Sequence, residues 1–226
     1  FFEEAEISSV YGCFPGSIWN GGRDVMGSST KGEIEYVLSE FNSRGIAVRY
    51  TYTNPLLDEK HLYDTFCNLT LELSSNGPNE VLVNSPLLED YIRKEYPNMR
   101  ILSSTTKCLD TEKSELLATH YCQDSCPRRR AHYEEIGRSQ LEFRDAEFGH
   151  CPHINRNFYE VMQNRSFITT ELLYGKYLDN GFCNFKLDGR GFKRFKVMES
   201  FIYFLVKPEY RDFIRMAVLK EIDRLN

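Results

Sequence analysis

No stretch of this sequence approaches the roughly 18 consecutive apolar residues that a membrane-spanning helix needs. The longest apolar run near the end, Phe201 to Val206, is far too short, and the chain reads as soluble. An excess of basic charge is also missing. The 28 Lys and Arg stand against 33 Asp and Glu, a net charge of −5, which argues against coating nucleic acid by bulk charge and leaves room only for a local basic patch. The patterns G-x-G-x-x-G and G-x-x-x-x-G-K do not occur, so the phosphate-cradling loops they announce are excluded. No pattern points to a Ser/His/Asp or Cys/His pairing, and Glu134 and Glu135 are adjacent helix positions that do not face each other. Repeats and low-complexity segments are lacking too.

What is present is a chain of 226 residues with 41% hydrophobic content, enough for one sizeable core. It opens FFEEAEISSV without methionine, so residues are expected to precede it, and a missing leader says nothing about export. Seven cysteines, an odd number in a chain this long, fit a reducing compartment better than a disulfide scaffold, and a cytoplasmic protein is expected. Asn68-Leu69-Thr70 and Asn164-Arg165-Ser166 match the glycosylation triplet, a pattern common by chance.

Hydrophobic periodicity gives an alternating order. Strands are expected at 8–14, 46–53, 80–84 and 100–105. Between them lie a helix capped by Ser29 and Thr30 and closed by Gly45, a helix over 57–73, and a helix begun by Ser85-Pro86. Strand, helix, strand in this order signals a parallel sheet with right-handed crossovers. A further strand at 114–121 follows after only about ten residues, short of what a parallel crossover needs. Either the pairing turns antiparallel or residues are missing between about 108 and 113. Helices are expected at 128–143, 158–162 and 170–178, short strands at 167–169 and 182–187, and two C-terminal helices split by Pro208. A barrel interior would be filled by Val10, Val48, Tyr50, Val81, Val83, Ile101 and Leu116.

The candidate chemistry centres on HYCQDSCPRRR, where Cys122 and Cys126 follow a strand and precede Arg128, Arg129 and Arg130. With Cys151 and Cys183 the spacing is C-x3-C-x24-C-x31-C. Thiolates on flexible loops beside positive charge suit an iron–sulfur cluster, and zinc would accept the same sulfurs with His150 or His153. Cys13 and Cys108 are rival fourth ligands. The plain alternative is that these thiols fill the core, as free cysteines commonly do. A second candidate is the loop Phe14 to Gly27, with the only tryptophan, Trp19, beside Asn20, Gly21-Gly22 and Arg23: either it recognises an anion or planar ring, or it is a turn packed by Trp19.

The stretch Asn184-Phe185-Lys186-Leu187-Asp188-Gly189-Arg190, following cysteines in this order, resembles the F-K-[IL]-[DE]-G-R strand-turn of the collagenase-like, unclassified-type peptidase family. The resemblance implies a single (β/α)8 barrel over residues 1–226, of the TIM type. Several members of that family hold a four-iron cluster on four cysteines. Cys122, Cys126 and Cys151 match the first three; the family's fourth falls near Met162 to Phe167, where this chain has none, and Cys183 takes its place. Members act in oxygen-independent hydroxylation of RNA bases or quinone precursors, and others are labelled peptidases. The expectation is therefore a 4Fe-4S barrel that modifies an RNA base or small aromatic substrate held by Trp19, Asn20, Arg23 and Arg190. The alternative is a peptidase or peptide-binding barrel with a structural zinc–thiolate site. A small-molecule or RNA substrate and a homo- or hetero-dimeric assembly are the partners it leaves open.

Overall fold

A computed structural model describes residues 1–22, 24–103, 115–122, 126–148, 156–189 and 194–225. The chain divides into two compact units, one of Ile7–Lys107 with Pro127–His150, the other of Phe1–Glu6, Cys108–Cys126 and Cys151–Asn226.

The first, the sheet unit, holds four parallel strands in chain order: β1 (Ser9–Gly12), β2 (Ala47–Tyr52), β3 (Glu80–Val83) and β4 (Arg100–Ser103). Helices α1 (Lys31–Asn42), α2 (Thr65–Ser74) and α3 (Pro86–Glu95) make the crossovers. The starts follow local chemistry. Thr30 accepts from the Glu33 N–H while Glu33 returns a bond to the Thr30 N–H, and Ser85 accepts from Leu88 with Pro86 in the first turn. Gly45, at φ 74°, ends the α1 connection in the left-handed region. The helix expected over 57–73 is broken at Asp64, which leaves a 3₁₀ turn at Glu59–Tyr63 and caps α2 through the Cys67 N–H. Helix α4 (Arg129–Glu142) completes the unit.

Alternation along the strands sets two faces. Val48, Tyr50, Tyr52, Val81 and Val83 pack with Ile34, Leu38, Leu71, Leu88 and Ile92 in one core, joined by Val10 and Ile101. The residues expected to fill a barrel interior therefore lie among helix side chains. The opposite phase carries a row in register across all four strands: Tyr11, Arg49, Glu80 and Arg100.

The second unit, the thiol-turn unit, holds a parallel pair, β5 (Glu115–Leu117) and β6 (Asn184–Lys186). Around it lie α5 (Phe158–Val161), a π-helical segment (Leu172–Tyr177), α6 (Arg194–Leu205) and α7 (Arg211–Leu225). Its core gathers Ala118, Tyr121, Phe158, Val161, Phe167, Ile168, Leu173 and Phe204, with Leu116 packed against them. Phe167 to Thr169 is irregular where a strand was expected; Phe167 and Ile168 are buried, and the Ile168 N–H reaches the Ala118 carbonyl at 3.1 Å.

The barrel expectation is corrected by this topology. The described residues contain six strands in sheets of four and two, too few to close a (β/α)8 barrel, and β5 and β6 are three residues each. The segment expected to lack residues, between about 108 and 113, lies outside the described residues. Among the described residues no helix is long and apolar enough to cross a membrane.

Candidate functional site

The register Leu117↔Lys186 puts the segments that follow β5 and β6 at the same, carboxyl, end of the pair. The Ala118 N–H donates to the Lys186 carbonyl at 2.9 Å, extending the ladder one step. Beyond it the Asp188 N–H donates to the Thr119 hydroxyl at 2.7 Å, and Thr119 is fully buried. Asn164, just past α5, donates its side-chain amide to the His120 carbonyl at 2.7 Å and reaches the Cys122 carbonyl at 3.4 Å. The Tyr121 hydroxyl lies 3.5 Å from the Ser200 hydroxyl on α6, and Ser200 donates to the Lys196 carbonyl. Burial raises the Tyr121 phenol, the Ser200 hydrogen bond opposes the shift, and the Asp188 carboxylate adds to it. The two motifs singled out in the sequence, the cysteine turn and the Asp188-Gly189 turn, thus meet at one strand end.

Cys122, whose carbonyl meets Asn164, is half-buried, and so is Cys126. Cys183 is not brought to them. It precedes β6, beside Asn184 at 3.4 Å, and the three steps to Lys186 at roughly 3.3 Å each leave it about 10 Å away along the strand. Among the described residues no group of three or more His, Cys, Asp and Glu is placed to hold a metal ion, which corrects the metal-binding, iron–sulfur set expected of these thiols. Cys151, the remaining expected ligand, lies outside the described residues, as do Arg23 and Arg190.

Trp19 and Asn20, expected to hold substrate, are wholly buried within the sheet unit. The Trp19 indole N–H donates to the His61 carbonyl at 2.7 Å, and its ring meets Tyr52 and Tyr91 edge-on. Asn20 donates to Gln140 Oε1 at 3.2 Å and accepts from the Thr51 hydroxyl at 3.3 Å. Gln140 in turn donates to Asp24 Oδ1 at 2.9 Å. A Cβ on Gly21 would fall 2.5 Å from the Thr53 carbonyl group, so only glycine lets the loop lie this close on the end of β2. Both side chains are spent on holding the loop down.

Sequence reading missed Thr119, Asn164, Gln140 and Ser200. Asn164 had a signal, its glycosylation triplet, but the side-chain amide is engaged with backbone carbonyls instead. Asn68 of the other triplet is likewise held, donating to the Leu62 and Asp64 carbonyls and accepting from Tyr91 and Tyr96.

The class these observations define is an α/β protein with a parallel four-stranded sheet unit and a second unit built on a parallel pair. No protein-family model matches the sequence, and neither the curated proteins nor the solved structures give a match.

Proposed function

We propose that this chain binds a small aromatic or nucleobase-like molecule at the carboxyl end of the β5–β6 pair and takes part in its modification. The observation that carries the reading is the Asp188 N–H bond to Thr119, which ties the turn after β6 to the segment entering the cysteine turn. That end of a parallel sheet is where α/β proteins take ligands, because loops from neighbouring strands converge there. The groups these segments carry suit a polar, planar molecule: the Asp188 carboxylate, which acts on the buried Tyr121 phenol, and the half-buried thiol of Cys122. The resemblance drawn from Asn184 to Arg190 attaches the same two segments to modification of RNA bases and quinone precursors, and the substrate class is taken from it.

The test titrates free nucleosides and phenolic acids while iodoacetamide labels Cys122 and Cys126, each site followed by mass spectrometry. A bound probe should slow labelling of Cys122, and Asp188→Asn should weaken that protection. Labelling that no probe changes in the wild type overturns the reading.

A further inference from the structure

Within the sheet unit the aromatic side chains form a continuous line from core to surface. Tyr50 and Tyr52 stack at 5.3 Å with their planes 9° apart, Tyr52 meets Trp19 edge-on at 5.3 Å, Trp19 meets Tyr91 at 6.1 Å, and Tyr91 meets Tyr63 at 6.1 Å. Tyr50, Tyr52 and Trp19 are buried, whereas Tyr63 is 73% exposed. Contacts of this kind stabilise a core whatever the ring. Packing alone would be met by phenylalanine, of which the chain has 16, yet four of the five rings are phenols. Among the described residues the buried Tyr50 hydroxyl makes no hydrogen bond within 3.5 Å, a cost that phenylalanine would avoid.

Tyrosine and tryptophan differ from phenylalanine in giving up an electron readily. We infer that Trp19, Tyr91 and Tyr63 relay oxidising equivalents out of the sheet unit, so that a one-electron oxidant of the peroxide-derived radical class damages the surface rather than the core.

The direction follows from where a proton can go. An oxidised phenol becomes a stable neutral radical only by losing its proton. Tyr52 pairs with the Thr70 hydroxyl, and Tyr91 donates to the Asn68 amide oxygen at 2.9 Å, neither of which is a base. The Trp19 N–H meets only the His61 carbonyl. Tyr63 alone in the line stands mostly in water, which accepts the proton. In the step, the oxidant takes one electron from Trp19, Tyr63 returns one to Trp19 by way of Tyr91, and the Tyr63 proton passes to solvent. A surface reductant such as ascorbate then restores Tyr63 with one electron and one proton. The residues kept intact include Cys67, fully buried in the same core cluster and 3.3 Å from the Ser17 hydroxyl.

Trp19 is the only tryptophan, so photoionisation at the red edge of its absorption, beyond tyrosine, creates the vacancy at one known place while dissolved oxygen takes up the ejected electron. Transient absorption should show the indole radical decaying as a phenoxyl radical grows. Tyr63→Phe, an exposed change that leaves the core packing alone, should abolish the long-lived phenoxyl signal, and Tyr91→Phe should slow the indole decay severalfold. Indole decay at one rate in all three proteins, or a phenoxyl signal that survives Tyr63→Phe undiminished, overturns the relay.

Discussion

Arg215 on α7 clasps Glu199 on α6 through two hydrogen bonds, 2.8 Å from Nε to Oε1 and 3.1 Å from Nη2 to Oε2. The Tyr159 hydroxyl adds a third at 3.3 Å, and Glu199 is buried. A carboxylate out of water depends on such partners, since removing one leaves an uncompensated charge. Arg215→Ala should lower unfolding stability by about 3 kcal/mol in urea titration. Glu199→Gln added to it should recover part of the loss, because the neutral amide no longer needs the guanidinium.

Thr119 is the hinge of the proposed site. Thr119→Val keeps the shape but removes the acceptor for the Asp188 N–H, at a cost of about 1–2 kcal/mol. The local effect should exceed the global one: Cys122 should be alkylated faster at denaturant concentrations far below the unfolding midpoint, because the turns at the strand end come apart first.

Gly137 reverses the usual rule. Glycine inside a helix is worse than alanine by about 1 kcal/mol, so Gly137→Ala in α4 would ordinarily stabilise. Here the added Cβ would lie 2.4 Å from Asn54 Oδ1 and 3.1 Å from Pro55 Cδ. Asn54 is buried and its amide donates to the Ile18 carbonyl at 2.8 Å and the Gly137 carbonyl at 3.0 Å, so it cannot swing away. The substitution should destabilise by about 1–3 kcal/mol and lower the melting temperature.

Glu135 gives a pH dependence of known sign. Its carboxyl is pulled from 4.5 to about 2, first by the Arg144 hydrogen bond and then by the Glu147 N–H, with Arg138 also bonded. A folded value below the unfolded one contributes stability that is present above pH 4.5 and lost as pH falls from there toward 2. Acid titration of Glu135→Gln should therefore show a shallower loss across that window than the wild type, with the two curves offset at neutral pH. Parallel curves would remove Glu135 as a source of acid sensitivity.

Local signals in the sequence carried the sheet unit well. Thr30 with Glu33, Ser85 with Pro86, and Gly45 marked helix ends correctly, and the strand–helix order gave the parallel pairing. The barrel did not follow, because closure depends on strand number and register, which no local pattern encodes. The interior list failed for a related reason: alternation separates two sets of side chains without saying which set faces the helices. The candidate site was half legible. Its two motifs stood out, but the bond joining them spans 69 positions. Trp19 and Asn20 looked like ligand groups because burial cannot be read from a glycine-rich loop.

Arg49 and Arg100 share one carboxylate and should still behave differently. Arg49 Nε donates to Glu80 Oε2 at 2.6 Å and its guanidinium lies over the Tyr11 ring at 4.6 Å, whereas Arg100 reaches Glu80 Oε1 at 3.1 Å. The Arg49 side chain is only 13% exposed, that of Glu80 5%, and that of Arg100 67%. Burial pulls the Arg49 guanidinium below its usual value, Glu80 opposes that, and the nearby Arg100 charge adds to it. Arg49 is thus held charged chiefly by Glu80, and losing either partner strands the other out of water. Arg49→Ala should cost about 3 kcal/mol, nearly independent of salt. Arg100→Ala removes a mostly exposed cation while Glu80 keeps its bond to Arg49, so it should cost under about 1 kcal/mol, and raising the ionic strength to about 1 M should erase most of that cost. Denaturant midpoints of the two variants at low and high salt decide the matter: equal costs with equal salt dependence would mean that solvent reaches Arg49 as freely as Arg100.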